Sequence, residues 1–321
     1  MKKGMMAALL FTTMLAALFI GRYGSSIEEV LQALMQQGDM LTQRLIWNIR
    51  MPRMLLVVMS GGALAVSGYI FQTIFKNPLA SGDVIGAASG CSLGAAIAIL
   101  TTGGMFALQL YSFLGGMLAV VLTMLLAHRI KGNRVLNLVV IGIVVQAIMS
   151  AALMLLKISA DPNQELASIE YWLMGGFSNA TWTSVGIAFI LIAVSFALLY
   201  LFRWQIQMLA FGEEARTMGI STRMITVIAL LLATLLVSSV ISFAGLVSWV
   251  GLLIPHIVRQ IHRQMVSKSL GFTFLCGAWF LLVCDILSRS LFVIELPISI
   301  LTSFFGAVCL LVLFVKGRLR L

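Results

Sequence analysis

The run Met224–Val258, MITVIALLLATLLVSSVISFAGLVSWVGLLIPHIV, contains no lysine, arginine, aspartate or glutamate, and its division decides the fold. About 20 apolar residues cover a ~30 Å hydrocarbon core. The run is too long for one crossing and offers a turn only at Ser242–Gly245. Both flanks are basic: Arg203–Arg223, RWQIQMLAFGEEARTMGISTR, precedes it, and Arg259, Arg263 and Lys268 follow. Loops rich in lysine and arginine stay on the cytoplasmic side of a membrane. Two crossings, 224–241 and 244–261, keep both flanks there, whereas a single crossing would send the basic tail with Lys316, Arg318 and Arg320 outside. Two helices are therefore predicted.

The rest of the chain has the same character. Of 321 residues, 61% are hydrophobic and 10% charged, with a mean hydropathy of +1.07, where a soluble domain has about a quarter of its residues charged. This excludes a soluble globular protein and predicts an all-α polytopic membrane protein. Apolar runs at 4–21, 54–74, 84–102, 105–127, 135–157, 182–202, 270–291 and 297–315 join the two above to make ten transmembrane helices. The opening MKKGMMAALLFTTMLAALFIG looks like a signal peptide, but its apolar run is longer than an h-region and lacks a small-residue cleavage site, so it is read as the first membrane helix.

With the N-terminus inside, only Arg22, Arg44, Arg50, Arg53, Lys157 and Arg289 of the 21 bases fall outside. The acids Glu28, Glu29, Asp39, Asp161, Glu165, Glu170 and Glu295 join them there. The net charge of +10 is thus a matter of topology rather than of nucleic-acid binding. Both termini are expected in the cytoplasm, and residues 1–321 are read as a single transmembrane domain with 203–223 as its cytoplasmic segment. The outer segments 22–53 and 158–181 are too short for a core of their own, so capture of a dilute substrate requires another protein. Gly86, Gly90 and Gly94 on the third helix, and Gly61, Gly62 and Gly68 on the second, are expected to bring helix backbones close.

Reactive constellations are missing. No phosphate loop, H-E-x-x-H motif or set of nucleophile, base and orienting residue occurs, so neither a catalytic residue nor a metal site is expected. Cys91, Cys276, Cys284 and Cys309 lie in apolar runs, and Cys276 and Cys284 would stand about 12 Å apart along one helix, too far for a disulfide. Asp285 is read as the one deep acid, with Arg289 four residues on and on the same face. A structural ion pair is favoured over a proton relay, which leaves an ion-coupled secondary transporter using Asp285 as the rival class. In the polar segment, Gly212 can break a helix, Glu213 and Glu214 suit a first turn, and Gly219 suits a left-handed stop. The short helix EEARTM between them is marginal alone and needs a partner surface. A plain solvated loop fits the same spacing.

Six pieces extend this reading: RMPR at Arg50–Arg53, SGYIFQTIFKNPLASGDVIGAASG at Ser67–Gly90, YWLMGGF from Tyr171, GEEARTMGI from Gly212, GLVSWVGLLIPHIVR at Gly245–Arg259 and ELPISILTSFFG from Glu295. In this order they resemble the FecCD family of ABC-transporter permeases, which import iron–siderophore complexes, haem or vitamin B12 across the bacterial or archaeal cytoplasmic membrane. The resemblance implies the type II ABC importer architecture, a homodimer of the permease, two ATPase subunits that bind ATP and Mg, and one external substrate-binding protein. No cofactor is implied for this chain. It further implies that Gly212, Glu213, Glu214, Ala215, Met218 and Gly219 form an ATPase-coupling helix, with Met218 where the family more often has leucine. Arg50, Arg53 and Arg289 would receive carboxylates of the binding protein, Asp285 would steady Arg289, and Trp249 stands where the family often has phenylalanine.

Overall fold

A computed structural model of the chain describes residues 2–21, 26–211, 219, 221–262, 266–291 and 294–315. In order, the helices are α1 (Lys2–Phe19), α2 (Ile27–Leu34), α3 (Met40–Arg44), α4 (Met51–Phe75), α5 (Ala87–Thr101), α6 (Met105–Arg129), α7 (Arg134–Ser159), α8 (Glu165–Leu173), α9 (Trp182–Leu201), α10 (Arg203–Met208), α11 (Thr222–Ala244), α12 (Val250–His262), α13 (Val266–Ser290) and α14 (Ile298–Val315). Among the described residues, six helical runs are long and apolar enough to cross a membrane, and α1, α5, α12 and α14 are shorter apolar helices. Together they form the ten membrane helices of an all-helical polytopic protein.

The outer segment after α1 is ordered by its own caps. Ser26 accepts a hydrogen bond from the Glu29 amide at 3.2 Å, and the Glu29 carboxylate accepts one from the Ser26 amide at 3.0 Å, a capping box that starts α2. The indole of Trp47 donates to the carbonyl of Ala33 at 3.0 Å, so α2 is laid against the wide π turn Leu45–Arg50 that leads into α4.

The division of Met224–Val258 falls a few residues later than the sequence suggests. Ser242 donates to the carbonyl of Ser239 at 2.9 Å and stays inside α11. A serine that can return its hydroxyl to the preceding turn need not end a helix. The break is Gly245–Trp249, with φ of 68° at Gly245 and 70° at Trp249. Similarly, the third membrane helix begins at Ala87 rather than at 84: Gly82–Ile85 forms a 3-10 turn, and Gly86, at φ 80°, is the cap of α5 and not part of its packing face.

The core is built around α4, whose membrane window is 83% buried, while that of α7 is only 22% buried and turns most of its surface to lipid. Close backbone approach explains how a helix can be so enclosed. A Cβ at Gly68 would strike the carbonyl of Gly251 on α12, and one at Gly61 that of Gly277 on α13. In lipid, where packing rather than the hydrophobic effect joins helices, such contacts carry the association. Gly68→Ala is expected to lower stability by about 1–3 kcal/mol through overpacking, read as an earlier thermal transition in detergent. Gly186→Ala, where a Cβ meets nothing within 4 Å, is expected to leave the transition in place.

Candidate functional site

At one end of the bundle, five charged side chains distant in sequence meet. The two arginines of the RMPR piece lie three residues apart, on one face of the helical run Met40–Phe75, and both point inward. Arg53 donates from Nε to Asp285 Oδ1 at 2.9 Å and from Nη1 to both oxygens of Glu295 at 3.0 Å. Arg289 Nε lies 3.5 Å from Asp285 Oδ2, one helical turn away. Helix α1 ends here as well, with carbonyls that have no partner within the helix. Arg289 donates to the Ala17 carbonyl at 2.7 Å, and Arg50 donates to that of Leu18.

This arrangement differs from the sequence expectation of outward-facing docking arginines. Arg50, Arg53 and Arg289 are only 4%, 6% and 6% exposed, and Asp285 is 1% exposed. Burying a guanidinium without a partner is costly, so each is turned toward an acid or a helix end. Glu295, with a side chain 30% exposed, is the most open member. Sequence reasoning missed its pairing with Arg53 because the two are 242 residues apart. The signal available was an excess of three arginines over the one acid assigned to them. Asp285 is held between two guanidiniums, Arg53 and Arg289.

The opposite end carries the polar segment. Its entering arm, α10, packs against α4, α9, α11 and α13, with Ile206 and Leu209 buried. Arg203 donates to the Tyr200 carbonyl at 2.8 Å and sits 4.1 Å from the centre of its ring. Gly212, Glu213, Glu214, Ala215 and Met218 lie outside the described residues. Gly219 is described, exposed and left-handed at φ 79°. Just beyond it, Arg223 of α11 approaches His128 Nε2 at the end of α6 to 2.6 Å. The segment therefore leaves from, and returns to, helices that run through the core. Among the described residues no group of three or more His, Cys, Asp or Glu could hold a metal ion.

The fold is a polytopic helical bundle with a polar segment at one end and a buried charge cluster at the other. The chain belongs to the FecCD transport family, whose model matches residues 9–316, and it is a non-catalytic, multi-pass permease subunit of an ABC importer. It is 32% identical to the molybdate import permease MolB of Haemophilus influenzae over 93% of this chain and 90% of that one. It is 34% identical to the hemin transport permease HmuU of Yersinia pestis, covering 85% and 84%, and 32% identical to the vitamin B12 import permease BtuC of Yersinia enterocolitica, covering 82% and 79%. A solved inward-facing ABC transporter, provisionally assigned to the metal-chelate type, superposes with a TM-score of 0.89 at 31% identity over 98% of both chains.

Proposed function

We propose that two copies of this chain form the membrane path of an importer for a metal chelate: an iron–siderophore, haem, cobalamin or similar complex. Two ATPase subunits energise it, and an external binding protein feeds it. The observation that carries the reading is the superposition along 98% of the chain on a metal-chelate-type transporter. The lipid environment is the bacterial or archaeal cytoplasmic membrane, with both termini on the ATPase side. Gly212–Gly219 docks on the ATPase, and its motion passes through α10 into α4 and α13.

The binding protein lands on the surface at the opposite end, which the cluster of Arg50, Arg53, Asp285, Arg289 and Glu295 braces from within. Because the three guanidiniums are turned inward, they shape this landing surface rather than forming its outermost contacts. Co-reconstitution of the permease with its ATPase and binding protein in proteoliposomes tests the reading. Uptake of a ferric chelate, haemin or cobalamin is expected only with ATP and only with the ATPase present. Uptake driven by a proton gradient without the ATPase would overturn it in favour of an ion-coupled carrier.

A further inference from the structure

Two connections in this bundle do not stay at its surface. The chain between α4 and α5 folds back so that Gly82 sits against Phe71 and Val237, and α7 presses on its backbone at Val84 through Gly142. The connection between α11 and α12 folds in likewise, so that α12 begins beside Gly68, in the last third of α4. The two helices that follow, α5 and α12, have 15 and 13 residues, or about 22 and 20 Å, short of a ~30 Å hydrocarbon core. Non-helical backbone at membrane depth is tolerated where it is buried in protein or lines a watery cavity. Both connections line the same one, a cavity of about 510 Å³.

That cavity combines an apolar wall with a set of polar side chains. Asp83, from the first connection, is the only ionisable residue among those lining it, and Asp83 is exposed to it. Ser81 donates to Asp83 Oδ2 at 3.3 Å, and among the described residues no base pairs with this carboxylate. Gln146, Ser150 and Ser248 also line the cavity. Their side chains have no hydrogen-bond partner within the chain among the described residues. Trp249, bulky yet left-handed at φ 70°, forms part of the wall and packs on Gly306 of α14. A strained backbone held at a ligand-sized hole is characteristic of binding sites, and an unpaired acid at membrane depth marks a transport path.

We infer that this cavity is a waypoint for the cargo, and that Asp83 makes it select a neutral or cationic polar chelate over an oxyanion. The inference rests on the importer reading above and names the charge class of its substrate. The reasoning is electrostatic. The N-termini of α5 and α12 both open on the cavity, and each acts as about half a positive charge. With hydroxyl and amide groups around them, they would form an anion-attracting hole if Asp83 were absent. The full charge of the carboxylate offsets both half charges, so that an anion is no longer drawn in and a neutral or cationic group is admitted, and the low-dielectric helices around the cavity focus its field. Unpartnered Gln146, Ser150 and Ser248 then supply hydrogen bonds to one polar edge of a chelate.

The charge preference can be measured without knowing the cargo. In the complex in proteoliposomes, Ser150→Cys is treated with cationic and anionic methanethiosulfonate reagents, the parent chain serving as the blank for native cysteines. Ser159→Cys, exposed at the end of the same helix, provides the reference ratio. The cationic reagent is expected to react faster at Ser150→Cys by about tenfold relative to that reference, a focusing effect of usual size. Adding Asp83→Asn should bring the ratio to the reference value or below it, and Asp83→Glu should retain it. A reference-like ratio at Ser150→Cys, or one that Asp83→Asn does not change, overturns the inference.

A second arm uses protection: millimolar ferrioxamine B, a cationic ferric chelate, is expected to slow labelling, and molybdate is not. Protection by molybdate, or by neither, is equally fatal to the proposal. The labelling ratio does not depend on transport. Loss of ATP-driven uptake by the parent chain with the ratio intact would therefore overturn the importer reading alone.

Discussion

Asp285→Ala is expected to destabilise the protein by about 3–5 kcal/mol, the loss that follows when one partner of a buried ion pair is removed. Among the described residues, Arg53 would keep Glu295 and Arg289 would keep the Ala17 carbonyl, with both arginines still 6% exposed. Neither can reach water without disturbing the ends of α1, α4 and α13, which they hold together. A pair at the surface provides the contrast. Lys157 and Glu170 lie 2.8 Å apart with side chains 25% and 47% exposed, and Lys157→Ala should cost no more than about 1 kcal/mol. Thermal unfolding in detergent measures both, and equal losses for the two variants would show that the cluster is no clamp. Asp285→Asn, which keeps the shape and part of the hydrogen bonding, is expected to fall between them.

Ala215→Trp is expected to abolish ATP-driven uptake, by more than tenfold, with little change in the melting of the bundle. The neighbouring described residues Phe211 and Gly219 are exposed. If the segment docks on the ATPase as proposed above, a side chain of that bulk blocks close docking. ATPase pull-down on the permease should weaken in parallel. Retention of both pull-down and uptake would refute the coupling role of the glycine-bounded segment. Under the coupling role proposed above, the effect on transport is expected to be large because α10, which leads into the segment, packs against α4 and α13.

Much of the bundle was legible because lipid imposes a simple rule: a crossing must be a long apolar helix with its backbone bonds satisfied internally. The ten crossings, the pairing of Asp285 with Arg289 one turn apart, and the close approach at Gly61, Gly68, Gly90 and Gly94 all follow from spacing along one or two helices. Asp83 was different. From the sequence it reads as a residue of a cytoplasmic loop, seven positions after Lys76, because nothing local says that the loop re-enters the bundle. The direction of the arginines was hidden for the same reason. A guanidinium near a helix end faces water or protein according to what its neighbours bring.

The sequence alone determined that this chain is a multi-pass helical membrane protein. This is a consequence of hydropathy, which adds up residue by residue. Only the tertiary structure decided where Met224–Val258 breaks, at Gly245–Trp249, and that the break meets a second one at Asp83 around a single cavity. It also decided that Arg53 is held by Asp285 and Glu295 together. Such features depend on contacts between segments far apart in the chain, and their free energy exists only once the helices have packed.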